Sequence, residues 1–270
     1  MDKVVIAEVF DFVTFHVCKA LLDKGIEVRG VQIEAEENEE ILMEKKLEIG
    51  RNSNFTEVKL EEILMEYRQN EAIILSVYDL YMRYKENLLR NECRISKFIH
   101  EDFQGQFVML VPSKILTNGM ESDAKADIID FINRIKKMNV TIQILYLPTI
   151  YGPWQPDTFL FQQSILKGMD MGKGLRGLRE QTNDALFIED AVESILETIE
   201  KKIPGNYLLQ SGKKDQWDLC AEFLGIKRPI TDHSAEERVE EEIISLTVKS
   251  SIPISEALTK QMDHTRRLNR

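Results

Sequence analysis

Lys3-Val4-Val5-Ile6-Ala7-Glu8-Val9-Phe10-Asp11-Phe12-Val13-Thr14-Phe15-His16 is the stretch that decides how this chain reads. Val4 to Ala7 is a short apolar run suited to a buried strand, and apolar residues from Phe12 to Leu22 recur at helical spacing. Asp23-Lys24-Gly25 stops that helix, and Ile26 to Val31 supplies a second strand, completing one βαβ unit of a parallel sheet. Where such a unit binds a dinucleotide, its first turn carries G-x-x-G-x-x-G or a variant. The backbone must approach the pyrophosphate closely and point N–H groups at it. Here those places fall on Glu8, Asp11 and Thr14.

Strands and helices alternate onward without a linker. Glu34 to Arg51 is an acidic, helix-like stretch, Ala72 to Val77 an apolar strand, and Tyr78 to Asp102 reads as one long helix. Gln106 to Val111 is a strand, Ser122 to Met138 a helix, and Val140 to Leu147 the last clear strand of the core sheet. The pattern predicts an α/β fold with a Rossmann-type doubly wound parallel sheet and a small C-terminal lobe. The Glu-rich stretch from Ser234 to Glu242 reads as a solvated helix face.

Four later segments stand in a telling order: Leu145-Tyr146-Leu147-Pro148-Thr149-Ile150-Tyr151-Gly152-Pro153, then Asp184-Ala185-Leu186-Phe187-Ile188-Glu189-Asp190-Ala191-Val192-Glu193-Ser194-Ile195, then Gly205-Asn206-Tyr207-Leu208-Leu209-Gln210-Ser211-Gly212, and last Ser251-Ile252-Pro253-Ile254-Ser255-Glu256-Ala257-Leu258. They resemble the N-V-Y-G-P turn, the R-D-F-V-x-V-D-D-V-A-x-A-I helix entry, the Y-N-I-G-S-G strand and the terminal P-x-T-S-L-x-E-G-L of the NAD-dependent epimerase/dehydratase family, the extended short-chain dehydrogenases. The resemblance implies a Rossmann-like core over residues 1–150. It also implies a substrate-lobe-like region over 151–270, interleaved with the last core elements in a single compact unit. It places Glu8, Asp11, Thr14 and Gln32 at the cofactor positions, Gln32 standing where the family usually has a ribose-binding acid. Ser113 and Lys125 match the family's catalytic serine and lysine, which leaves Glu121 where the tyrosine belongs. Lys167, Lys173, Arg176 and Arg179 lie where relatives place the diphosphate of a nucleotide sugar.

The replacements carry chemistry of their own. A dinucleotide brings roughly two negative charges to a helix N-terminus, where free N–H groups favour an anion. Glu8 and Asp11 put carboxylates there instead, and like charges about 4 Å apart cost roughly 1 to 4 kcal/mol. Asp11 also suits the N-cap of the helix beginning at Phe12, so its side chain is expected to take the donors a phosphate would take. At the second site, a glutamate beside a lysine is a poor base for an alcohol and has no proton to give near neutral pH. The expectation is a protein without oxidoreductase activity and without a cofactor, acting as a scaffold, partner subunit or regulator. Two alternatives remain open: an active NAD- or NADP-dependent sugar-nucleotide epimerase/dehydratase with a rebuilt site, and a non-catalytic dinucleotide or nucleotide-sugar sensor.

Composition narrows the partners. A net charge of −11 excludes a nucleic-acid-binding face, and apolar runs of only about 5 to 8 residues exclude a membrane span. Met1-Asp2-Lys3 leads straight into a strand, and three unpaired cysteines, Cys18, Cys93 and Cys220, suit a reducing, cytoplasmic setting with buried free thiols. The histidines, His16, His100, His233 and His264, are scattered with no metal-site spacing. A homodimer is expected through the Tyr78 to Asp102 and Ser122 to Met138 helices, the second carrying Ile128, Ile129, Ile132 and Ile135.

Overall fold

Val4, Val5, Ile6 and Ala7 are fully enclosed, as a strand covered on both faces must be. They form β1 (Lys3–Ala7), which pairs in parallel with β2 (Glu27–Val31) on one side and β4 (Ala72–Ser76) on the other. The computed structural model describes residues 2–33, 38–60, 62, 71–90, 103, 105–138, 140–172, 179–227 and 242–269. Within them an eight-stranded parallel sheet runs in the order β10-β9-β6-β5-β4-β1-β2-β3, with β3 (Phe55–Val58), β5 (Gln106–Pro112), β6 (Thr141–Leu147), β9 (Gly205–Gln210) and β10 (Ile243–Thr247). The sheet continues past β6 through β9 and β10, both supplied by the second half of the chain. β9 falls on the Gly205 to Gly212 segment matched to a strand by resemblance, whereas β10 is short and mostly exposed or half-exposed, which hid it in the sequence pattern.

Helix α1 (Phe12–Asp23) follows β1, and α2 (Glu39–Ile49) follows β2. After β4 comes α3 (Val77–Met82), and after β5 comes α4 (Ser122–Lys136). The long helix expected from Tyr78 to Asp102 ends at Met82, where Tyr84 turns left-handed at φ 63° and a 3₁₀ turn (Glu86–Leu89) follows. Residues 91–102 of that expectation, with Cys93 and His100, lie outside the described residues, as do His233 and the 234–241 stretch. On α4, Ile128, Ile132 and Ile135 are buried and Ile129 is exposed.

The second half begins with the small parallel pair β7 (Thr149–Tyr151) and β8 (Ala185–Phe187), with α5 (Leu160–Gly168) between them. Helices α6 (Ile188–Lys201), α7 (Gln216–Phe223) and α8 (Ile254–Leu268) follow among the described residues. Gly152 makes the crossing from β7 possible: its φ is +148°, and a Cβ there would sit 2.4 Å from Ile188 Cγ2. A buried amide pair ties α6 to the sheet, since Gln106 donates to Gln143 at 2.5 Å and Gln143 donates to the carbonyls of Thr198 and Ile203, each at 2.9 Å.

Cys18 and Cys220 are buried free thiols. Among the described residues no group of His, Cys, Asp and Glu could hold a metal ion, and no helix is long and apolar enough to cross a membrane.

Candidate functional site

The turn between β1 and α1 is packed with its own side chains. Val9, Phe10, Phe12, Val13, Thr14 and Phe15 have no exposed surface. Glu8 adopts the left-handed conformation, φ 50°, that a glycine takes without cost. Its buried carboxylate accepts the Ile33 amide at 2.7 Å and the Gln32 side chain at 3.0 Å, closing the end of β2. Thr14 Oγ1 donates to the Glu8 carbonyl at 2.6 Å and the Asp11 amide to the same carbonyl at 3.0 Å, so the other three predicted cofactor positions all bond to Glu8.

Asp11 occupies the N-cap position of α1 but makes no side-chain cap bond. Its carboxylate pairs with Arg83 instead. The capping role assigned to Asp11 from sequence therefore passes to another residue. Asp79 on α3 reaches the N-terminus of α1, where its carboxylate oxygens accept the Val13 amide at 3.0 and 3.2 Å and the Thr14 amide at 3.4 Å. The sequence held a partial signal for this: Ser76-Val77-Tyr78-Asp79 is a capping-box pattern, and Ser76 Oγ does accept the Asp79 amide at 3.0 Å. That pattern starts α3 at the carboxyl end of β4, next to the end of β1.

The predicted catalytic residues do not form one constellation. Ser113 opens the 3₁₀ turn after β5 and donates to Gln181 Oε1. Lys125 Nζ donates to the Thr117 carbonyl at 3.1 Å. Glu121 precedes α4, largely exposed, and accepts from Arg179 Nη2 at 2.8 Å. Arg179 was expected to face a substrate diphosphate. It is instead buried, its guanidinium chelated by Glu86 at 2.9 and 3.0 Å and stacked 3.7 Å from the Tyr84 ring centre and 4.6 Å from that of Tyr81. Lys167 is exposed near the end of α5, and Lys173 and Arg176 lie outside the described residues.

Glu180, the residue after Arg179, is a second buried carboxylate on a helix N-terminus, accepting the Leu160 amide at 2.6 Å. Burial pushes its carboxyl up to about 7, against the pull of Lys114. Away from these residues, a cavity of about 960 Å³ opens between α1, α6 and α8 and is lined by His16, Lys19, Trp154, Leu196, His264 and Arg267 among others. None of the site residues expected from sequence lines it.

Buried titratable groups pull stability in opposite directions with pH. Burial, then the Asp11 carboxylate, raises the Asp79 carboxyl, and Glu180 is raised likewise. A raised carboxyl binds its proton more tightly in the folded chain, so its contribution is fully present below the unfolded pKa and is lost as pH rises towards neutrality. His16 and His264 are lowered by burial to about 3 and about 4, so their contribution is lost as pH falls below the ordinary histidine value. Both slopes cover roughly pH 4 to 6.5. Urea-unfolding midpoints of the wild type are expected to change little across it, whereas an Asp79→Asn/Glu180→Gln double variant is expected to gain stability steadily as pH rises. A double variant as flat as the wild type would contradict this assignment.

No protein-family model matches this chain. No curated protein matches it either. Solved structures do, over nearly the whole length. The UDP-glucuronic acid 4-epimerase of Bacillus cereus, in complex with UDP-glucuronic acid and NAD, superposes with a TM-score of 0.70 at 14% identity, covering 98% of this chain and 99% of that one. The UDP-N-acetylglucosamine 4-epimerase of Methanobrevibacter ruminantium M1, in complex with UDP-N-acetylmuramic acid, superposes at 0.64 with 13% identity and 98% coverage of both chains. TunA, an NAD-dependent NDP-hexosamine 5,6-dehydratase involved in tunicamycin biosynthesis, superposes at 0.64 with 13% identity over the full length of both. The chain has the fold of these sugar-nucleotide epimerases and dehydratases.

These neighbours overturn the expectation that no cofactor is involved. The Bacillus cereus enzyme holds NAD in structures that match this chain over 98 to 99% of its length. As arranged here, however, the residues at α1 do not fit a diphosphate, because the Val13 and Thr14 amides are already bonded to Asp79.

Proposed function

We propose that this chain is a degenerate member of the NAD-dependent epimerase/dehydratase family that binds a dinucleotide as a sensor or regulatory subunit and does not turn sugar nucleotides over. One observation carries the loss of turnover: Glu121, at the tyrosine position, is held by Arg179, which is itself chelated by Glu86. A carboxylate is a far weaker base towards an alcohol than a tyrosinate, by about six pKa units on reference values, so the proton exchange that sugar oxidation needs has no donor or acceptor of matched strength at that place. Lys125 stands a turn further on and bonds the Thr117 carbonyl. Dinucleotide binding enters this reading from the fold neighbours crystallised with NAD.

Incubation of the purified chain with NAD and, in turn, UDP-glucose, UDP-glucuronic acid and UDP-N-acetylglucosamine, followed by chromatography of the sugar nucleotides, is expected to show no conversion. The Lys125→Ala variant is expected to match the wild type. A second reading, an active enzyme with a rebuilt site, draws support from Glu180, whose carboxyl is poised near 7 beside Lys114. Conversion that disappears in Glu180→Gln would establish that reading and remove the first.

A further inference from the structure

We propose that the cavity between α1, α6 and α8 binds an uncharged nucleoside, with its base held between His16 and His264 and its sugar hydroxyls at an acidic mouth. This goes beyond the reading above and does not depend on it, since a nucleoside has no phosphate to place at the turn between β1 and α1.

The cavity, about 960 Å³, has the size of a small-molecule site. Ala20 on α1, Val192 and Leu196 on α6, and Pro153 and Trp154 after β7 give it the apolar walls that a flat ring needs. Two histidines supply the polar edge. His16 Nε2 donates to the Pro153 carbonyl at 2.9 Å, so the neutral ring keeps a bare acceptor at Nδ1. His264 is the converse. Its Nδ1 accepts the Trp154 amide at 3.4 Å, which places the ring proton on Nε2, and that donor has no partner although the residue is only 8% exposed. A buried N–H without an acceptor costs free energy that a ligand acceptor recovers. Burial holds both rings neutral, and Arg267 acts in the same direction on His264. The wall beside them is fixed: Trp154 is left-handed at φ 67°, and its Nε1 donates to Glu48 at 2.8 Å.

The surrounding charges select against a charged ligand. Lys19 with Glu48, Lys260 with Glu189 and Arg266 with Asp263 already neutralise one another. Of the lining charges left over, the exposed carboxylates of Asp23 and Glu193 pair with no cation among the described residues, and Arg267 pairs with no carboxylate among them. That remainder is acidic. It disfavours a phosphate and suits sugar hydroxyls, which donate to carboxylates. A purine or pyrimidine base carries a ring acceptor beside a donor, the complement of the His264 and His16 couple.

Calorimetric titration of the full chain with adenosine, cytidine and uridine, and with AMP, ribose and toluene as controls, tests the proposal. At least one nucleoside is expected to bind, AMP no more tightly than adenosine, and ribose and toluene at least about tenfold more weakly than the nucleoside. His264→Asn keeps an acceptor near the Trp154 amide but deletes the Nε2 donor, and is expected to weaken nucleoside binding by about tenfold, the worth of one hydrogen bond. Ala20→Trp, at a partly buried place on α1, fills the cavity and is expected to abolish binding. The ¹⁵N resonances of the His16 and His264 rings in the wild type give a readout that needs no variant, and both are expected to move on saturation. Absence of nucleoside binding at millimolar concentration would overturn the proposal. So would binding that both folded variants leave unchanged or that moves neither histidine, since the ligand would then sit elsewhere. Toluene binding as tightly as the nucleoside would remove the polar edge from the account, and AMP binding more tightly than adenosine would remove the acidic mouth; either result overturns the assignment.

Discussion

Replacing Arg179 with alanine is expected to lower the free energy of unfolding by about 3 to 5 kcal/mol, because it strands a buried carboxylate whose partner has been removed. Glu86 is the side chain left behind. Its carboxylate is chelated by both terminal nitrogens of Arg179 and is only 13% exposed, so water cannot easily take the place of the guanidinium. The ring contacts with Tyr81 and Tyr84 go as well. Glu121 contributes little to the sum: its side chain is 62% exposed, and Glu121→Ala is expected to cost under about 1 kcal/mol. Urea denaturation of the two variants checks the contrast. A compensated variant, Arg179→Met with Glu86→Gln, is expected to recover most of the loss, since the only charge it leaves without Arg179 is the exposed Glu121 carboxylate, which water solvates. Equal destabilisation by the Arg179 and Glu121 substitutions would show that the exposed pair matters as much as the buried one, against this account.

Arg179 also marks where sequence reading stops. It follows a glycine-rich stretch with several cations, which locally reads as a solvated loop, and the residues that bury it, Tyr81, Tyr84 and Glu86, lie more than ninety positions earlier. Asp79 is the same case at the other site. The Ser76 to Asp79 pattern announces a helix start, but nothing in it says that the carboxylate meets amides 66 positions away. By contrast, β1, α1, β2, β4, β5, α4 and β6 were legible because apolar runs and helical spacing are local properties, and each is found within a residue or two of where its pattern places it. The long helix after β4 failed at Arg83-Tyr84-Lys85, where neither glycine nor proline signals the left-handed turn. Glu8, Asp11 and Thr14 were recognised as a group from the missing glycines, and Gln32 from the missing ribose-binding acid. Their mutual bonding was visible only in three dimensions. The inference from missing glycine to missing cofactor is contradicted by fold neighbours that hold NAD at 14 to 15% identity, although the α1 amides here are taken by Asp79.

Phe12→Ala is expected to cost about 3 to 5 kcal/mol, as truncation of a fully buried ring does when the surroundings cannot collapse around the void. Phe12 is the first residue of α1, has no exposed surface, and sits edge-on to His16 and Phe159 at 5.7 and 5.6 Å between ring centres. Phe159 in turn lies 6.0 Å from the Tyr78 ring, and the Tyr78 hydroxyl accepts the Ile150 amide at 2.9 Å. The ring therefore joins the first turn of the sheet to α3, to the start of α5 and to β7, four segments whose backbones are set by other contacts and so cannot move in together. Packing of this kind stands in place of the open, glycine-lined approach that a dinucleotide turn normally has. Phe223→Ala, at a position 45% exposed on α7, is the control and is expected to stay within about 0.5 kcal/mol of wild type. Chemical unfolding of both variants measures the difference. A Phe12 variant that loses less than about 1 kcal/mol would mean that the turn repacks readily. In that case the closed arrangement around α1 would be one of several the chain adopts rather than a fixed feature of its core.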